Sequence, residues 1–127
     1  MKPKNRFTDD ILTTIQKEKI LGIRAGRDSD HRVIGVWAVV VERRVFVRSW
    51  GLKPRSWWRT LLEDPYGTIY IANEEILIRA VQTKSERLKG LVSAVYREKY
   101  HTPGSIQYVK ELSQKKSRET TTELIPL

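Results

Sequence analysis

Cysteine is absent from all 127 residues, which excludes a disulfide frame and a thiolate metal site together. That absence fits a cytoplasmic home. Histidine is nearly absent as well: His31 and His101 stand far apart in the chain, with no acids at metal-ligand spacing around them. No serine sits in a nucleophile-elbow pattern beside a base. Long apolar runs are missing, and the first ten residues, MKPKNRFTDD, reach two acids before any apolar stretch. Neither a secretory leader nor membrane insertion is therefore expected. Acids are the scarce charge, 15 against 24 Lys and Arg, giving a net charge of +9. Such a chain attracts polyanions at long range, whether nucleic acid, anionic lipid or a phosphorylated small molecule.

What is present is enough apolar residue to fold, mixed with charge rather than separated from it, at a length suited to one domain over 1–127. Thr8, Asp9 and Asp10 open a helix to about Lys17, with Ile11, Leu12 and Ile15 on one face. Residues 20–27 and 32–41 read as strands around an Asp-Ser-Asp turn. In the second of these, VWAVVV is apolar at every position, so both faces are covered or one meets another subunit. A tight turn at Glu42-Arg43 leads to a third strand, 44–49, completing a meander. Ser56 to Leu62 fits a short helix, stopped at Asp64-Pro65. Residues 68–72 and 76–81 form a second hairpin around Asn73-Glu74. The clearest helix starts at Ser85-Glu86 and ends near Tyr100, with Leu88, Leu91, Val92, Val95 and Tyr96 at helical spacing. On it Tyr96 and Tyr100 are expected to pack as a pair with hydroxyls near the surface. Ser105 caps a further helix with Ile106, Val109 and Leu112 inward, residues 114–119 read as a solvated run, and the tail TTTELIPL returns as a sixth strand. Six antiparallel strands with helices set aside predict a small α+β barrel.

Function concentrates after the third strand. Residues 45–62 hold three of the four tryptophans, and residues 43–59 hold six Lys and Arg with no acid. A positive field beside flat aromatic surfaces suits a planar, phosphate-bearing ligand. It also suits single-stranded nucleic acid, with bases stacked on indoles, and the composition alone separates neither from simple core packing of the tryptophans.

The strings V-x-V-R-S-x-G and x-W-W-R-x-L-L, followed by D-P and a strand, with VYREKY and a terminal TTxxLxPL, resemble an uncharacterised bacterial group within the flavin-binding split-barrel superfamily. Its better-known branches are pyridoxamine-phosphate-oxidase-like proteins and deazaflavin-dependent nitroreductases, and the likeness spans residues 8–127. It implies a six-stranded antiparallel split β-barrel with flanking helices, a homodimer, and an oxidoreductase-like protein that holds FMN or a deazaflavin and acts on an unknown small molecule. By position, Ser49 with the backbone of Trp50 and Gly51 is similar to the phosphate-gripping turn. Trp57 falls where relatives place an aromatic residue, and Arg27 and Arg32 lie in a turn similar to a cofactor-facing hairpin. Two positions depart: Gly35 stands where relatives carry proline, and Trp50 where they carry lysine.

A phosphate needs several convergent donors, and a serine hydroxyl, amides at Gly51, the helix start after Ser56, and Arg59 one turn on are candidates. Three or four charged hydrogen bonds at about 1.5–3 kcal/mol each support micromolar binding after ordering costs. An ordinary strand-ending turn at Ser49-Gly51, and a basic nucleic-acid binder or a cofactor-free dimer, remain the competing readings. No residue pair marks a catalyst.

Overall fold

The computed structural model describes residues 6–27, 32–50 and 56–127. In chain order the elements are α1 (Asp9–Lys17), β1 (Leu21–Ala25), β2 (Ile34–Val36), β3 (Ala38–Val41), β4 (Arg44–Val47), α2 (Trp57–Glu63), β5 (Tyr66–Ile71), β6 (Glu74–Gln82), α3 (Glu86–Lys99), α4 (Pro103–Leu112), α5 (Lys115–Arg118) and β7 (Thr122–Pro126). Every pairing is antiparallel, in the order β2-β1-β5-β6-β7-β4-β3. The end strands β2 and β3 are joined through Trp37 alone, so the sheet curls back on itself into a nearly closed barrel.

That junction corrects the strand count from six to seven among the described residues. The run expected as one strand over 32–41 bends at Trp37: β2 pairs with β1, Leu21 facing Val36, while β3 pairs with β4, Ala38 facing Val47. The meander survives with its middle strand broken. Alternation continues across the break. Val36 and Ala38 enter the barrel core, with Val40 packed against it, while Trp37, Val39 and Val41 enter a second core on the outer side. Both faces are covered over residues 36–41, which is why that part of the run carries no polar residue.

The first core fills the barrel with Leu21, Ile23, Val45, Val47, Ile69, Ile78 and Leu124, closed by Ile11, Leu12 and Ile15 of α1 and by Trp57 and Leu61 of α2. Thr8 Oγ1 accepts from the Ile11 amide at 3.2 Å to start α1, and Ser56 Oγ accepts from the Arg59 amide at 3.2 Å to start α2. The second core joins Phe46 and Val39 to Leu88, Val92, Tyr96 and Tyr100 of α3 and to Val109 and Leu112 of α4.

Two hairpins turn on left-handed residues. Glu42 and Arg43 have φ of 53° and 63°, as expected for a two-residue I′ connection. The second turn falls one residue earlier than the sequence suggests, at Ala72 and Asn73 with φ of 52° and 61°. Alanine there accepts a conformation that its Cβ disfavours, because the β5–β6 register, Ile71 facing Glu74, sets it.

Helix α4 also differs. Its N-cap is Thr102 with Pro103 in the first turn, whereas Ser105 lies buried a turn further in, its Oγ accepting from Thr102 Oγ1 at 2.8 Å. Ile106 consequently points outward, 44% exposed, while Val109 and Leu112 point in. Within the run expected to be solvated, Ser117 is buried and Arg118 pairs with Glu86 at 2.7 Å.

Gly67 marks a close strand approach: a Cβ there would lie 2.7 Å from the Arg24 carbonyl oxygen across the β1–β5 pair. Gly67→Ala should cost about 1–3 kcal/mol, since backbone must shift to admit it. Gly90, exposed in α3 with open space around its Cβ position, provides the contrast: Gly90→Ala should gain about 0.5–1 kcal/mol. Urea denaturation of both variants tests the pair, and the same sign for both would contradict this account.

Candidate functional site

Four aromatic rings collect where β3 begins and β4 has just ended. Trp37 stacks on Tyr100 with centroids 4.0 Å apart and planes 5° from parallel. Trp50 meets Trp37 edge-on at 5.3 Å, and Tyr108 meets both, at 6.0 Å from Trp37 and 6.1 Å from Trp50. The inner pair is buried. The outer pair is not: Trp50 is 42% and Tyr108 49% exposed. Between them lies a recess of about 360 Å³ lined by Trp37, Trp50, Tyr108 and Glu111.

Around the Trp37–Tyr100 stack the charge is positive. Lys19 places its Nζ 5.6 Å from the Trp37 ring, and Lys17, Lys19 and Lys99 line a hollow of about 160 Å³ with Tyr100. Lys99 Nζ donates to the carbonyls of Ile15 at 2.7 Å and Ala38 at 2.6 Å, tying α3 to α1 and β3. Burial pulls its ammonium down to about 8, against an opposing pull from Glu18. Tyr100 donates to the Lys19 carbonyl at 2.7 Å, and Tyr96 to that of Trp37 at 2.6 Å. Both hydroxyls are therefore internal and not, as expected, near the surface: each meets a backbone carbonyl, that of Trp37 at the bend and that of Lys19 ahead of β1. Burial raises both phenols above their ordinary value.

These shifts have opposite consequences with pH. An unfolded lysine binds its proton up to about 10.5, so from about pH 8 upward the unfolded chain holds a proton that folded Lys99 has lost, and stability rises. Above about pH 10 the unfolded tyrosines lose protons that the folded ones keep, and stability falls. The urea midpoint should climb from about pH 8 to about pH 10 and then drop. In Lys99→Met the climb should be missing; an equal climb in that variant would assign it elsewhere.

The described part of the basic stretch, residues 43–50 and 56–59, is less open than its composition suggests. Arg43 pairs with Asp9, Arg44 with Glu123 at 2.6 Å, and Arg48 is 1% exposed. Arg48 shares the outward face of β4 with Phe46 and donates to Thr121 Oγ1, Ser93 Oγ and the carbonyls of Leu112 and Lys89, all at 2.8–2.9 Å. No carboxylate is among these partners, and burial lowers the guanidinium to about 10.

Of the residues singled out from sequence, Trp50 lines the aromatic recess. Ser49 is buried and its amide donates to Thr120 Oγ1 at 2.8 Å. Gly51 lies outside the described residues. Trp57 is inside the barrel core, four residues from Leu61 on the buried face of α2, whereas Trp58 is half-buried and donates to Gln82 Oε1 at 2.9 Å. Arg59 is exposed over the Trp58 ring at 5.5 Å. Arg27 lies over Tyr66 at 4.1 Å, its amide donating to Asp64 Oδ2 at 2.7 Å, and Arg32 is exposed ahead of β2. These residues thus occupy separate neighbourhoods. Sequence reading missed Tyr108 and Lys19. Tyr108 had a signal, since with Ser105, Val109 and Leu112 buried it falls at the margin of the α4 face; Lys19 had none.

Among the described residues no group of His, Asp and Glu could hold a metal ion, and no helix is long and apolar enough to cross a membrane. Residues 11–124 match the family model described as "Uncharacterized protein conserved in bacteria (DUF2255)". The chain belongs to this DUF2255 family. Among curated proteins nothing matches. The fold is similar to that in the crystal structure of the conserved hypothetical protein Rv2991 from Mycobacterium tuberculosis, with a TM-score of 0.60 over all of this chain and 84% of that one, at 11% identity. At that identity the likeness speaks for the fold alone, so the DUF2255 protein's activity is argued from its site.

Proposed function

We propose that this DUF2255 protein binds a flat heteroaromatic anion of the flavin or deazaflavin class, as an oxidoreductase-like split-barrel protein acting on a small molecule. One observation carries the reading: Trp50, whose indole would be buried if packing were its only role, stands 42% exposed edge-on to Trp37 and Tyr108 across an open recess. At about 360 Å³ the recess falls within the range of small-molecule sites and suits a fused ring more than a whole nucleotide. Glu111, lining the recess, repels an anionic tail, and Lys19 over Trp37, with Lys17 and Lys99 in the hollow beside Tyr100, attracts one, so charge orients the ligand. A bound flavin supplies hydride or electron transfer; the chain's own part is to stack the ring, set its direction and exclude water from one face.

The test is titration of the purified protein with FMN and with riboflavin, followed by flavin fluorescence. FMN is expected to be quenched with micromolar affinity, more tightly than riboflavin. Trp50→Ala should weaken FMN roughly 10- to 100-fold, the scale of a lost ring stack of about 1–3 kcal/mol. Absence of quenching by either ligand, or equal affinity in Trp50→Ala, would discard the proposal. Salt-sensitive, Trp50-dependent binding of a single-stranded oligonucleotide in place of FMN would put a nucleic-acid binder in its stead.

A further inference from the structure

We infer that the cleft between the end of α3 and the outer side of α4 is a second binding site, selective for an organic acid with an apolar tail. It is larger than the aromatic recess, about 460 Å³, and its floor is apolar: the Tyr100 ring, Val109 and the outward-facing Ile106. Its charged lining has one sign. Arg97 and Lys110 stand around it, with the His101 ring beside them, and no carboxylate is among the lining residues.

The cations are uncommitted. Among the described residues neither Arg97 nor Lys110 forms an ion pair, whereas Arg43, Arg44, Arg87, Lys89 and Arg118 all have acidic partners. His101 is oriented by its Nδ1–H, which donates to the Glu98 carbonyl at 2.8 Å. Ser113, at the cleft wall, has a buried Oγ with no hydrogen-bond partner among the described residues. Each observation favours the same occupant. An apolar floor gains from a chain of methylenes at about 0.8 kcal/mol for each one buried. A neutral molecule would use the floor and leave the cations idle, and a cation would be repelled; a carboxylate at the mouth satisfies both. Ile106 is also explained: an isoleucine left outward on α4, one residue after the buried Ser105, is part of a ligand floor.

The experiment is calorimetry on the full chain with octanoate, 1-octanol and octylamine. Octanoate should bind saturably with one equivalent, octanol at least 10-fold more weakly, and octylamine not measurably. Ile106→Trp should fill the floor and abolish octanoate binding, and Arg97→Glu with Lys110→Glu should weaken it at least 10-fold. All three positions lie on the surface, so circular dichroism should show intact folding. Trp50→Ala should leave octanoate unchanged, which separates this site from the aromatic recess. The inference is overturned by absent saturation, by octanol binding as tightly as octanoate, or by unchanged affinity in Ile106→Trp. It is equally overturned if sedimentation shows that Ile106→Trp disperses a dimer, which would make the cleft a contact between copies.

Discussion

Replacing Arg48 by methionine should lower the free energy of unfolding by about 3–5 kcal/mol, although methionine fills much of the same volume. The reason lies in what the guanidinium leaves behind. Its forked donors hold the carbonyls of Lys89 in α3 and Leu112 at the end of α4, together with Ser93 Oγ and Thr121 Oγ1 ahead of β7. Each buried acceptor without a donor costs about 1–3 kcal/mol, offset in part because the two hydroxyls can rotate to other partners. Desolvation of the charge is already a cost in the native protein, visible in a guanidinium lowered to about 10. Removing it recovers some free energy, and that is why the expected loss is well below four full penalties. Arg48→Lys should fall between wild type and methionine, because one ammonium cannot reach four acceptors in a fork. Urea denaturation followed by circular dichroism measures all three. A loss under about 1 kcal/mol for methionine would mean that α3, α4 and β7 are held by apolar packing alone.

Trp37→Ala should cost about 3–5 kcal/mol and abolish flavin-type binding in the same protein. The indole is buried in the outer core, stacked on Tyr100 and carrying Lys19 above it. It is also the back wall of the recess. Trp50→Ala should separate these effects, with stability within about 1 kcal/mol of wild type and ligand affinity lost, because that ring is substantially exposed. Thermal denaturation and flavin titration on both variants decide the matter. Should Trp37→Ala keep full ligand affinity, the ring binds elsewhere.

The same two residues show where sequence reading reached its limit. Trp37 was legible as core, from its place in VWAVVV, and indeed it packs in one. Its bend was not legible, because Trp37 and both its neighbours are apolar and Gly35, two residues earlier, is paired within β2. The bend arises where a strand must leave β1 and join β4 so that the sheet can close. Arg48 read as part of an exposed basic stretch. Only the continued alternation from Phe46, with α3 and α4 packed over that face, turns it inward. Tyr96 and Tyr100 were legible as a pair on one helical face, while the destination of their hydroxyls depended on carbonyls some sixty and eighty residues away.

Local chemistry determined a good deal without help: the caps at Thr8, Ser56 and Ser85, the place of the tight turn at Glu42-Arg43, the amphipathic α3, and the burial of both faces of the apolar run around Trp37. Each of those depends on neighbours within a few residues, and periodicity records them. Tertiary structure alone decided which cations are spent and which remain available, and which tryptophan faces solvent. Those outcomes depend on partners remote in the chain, such as Asp9 for Arg43, Glu123 for Arg44, and Tyr108 for Trp50. Charge and aromaticity are properties of residues; exposure is a property of the packed chain.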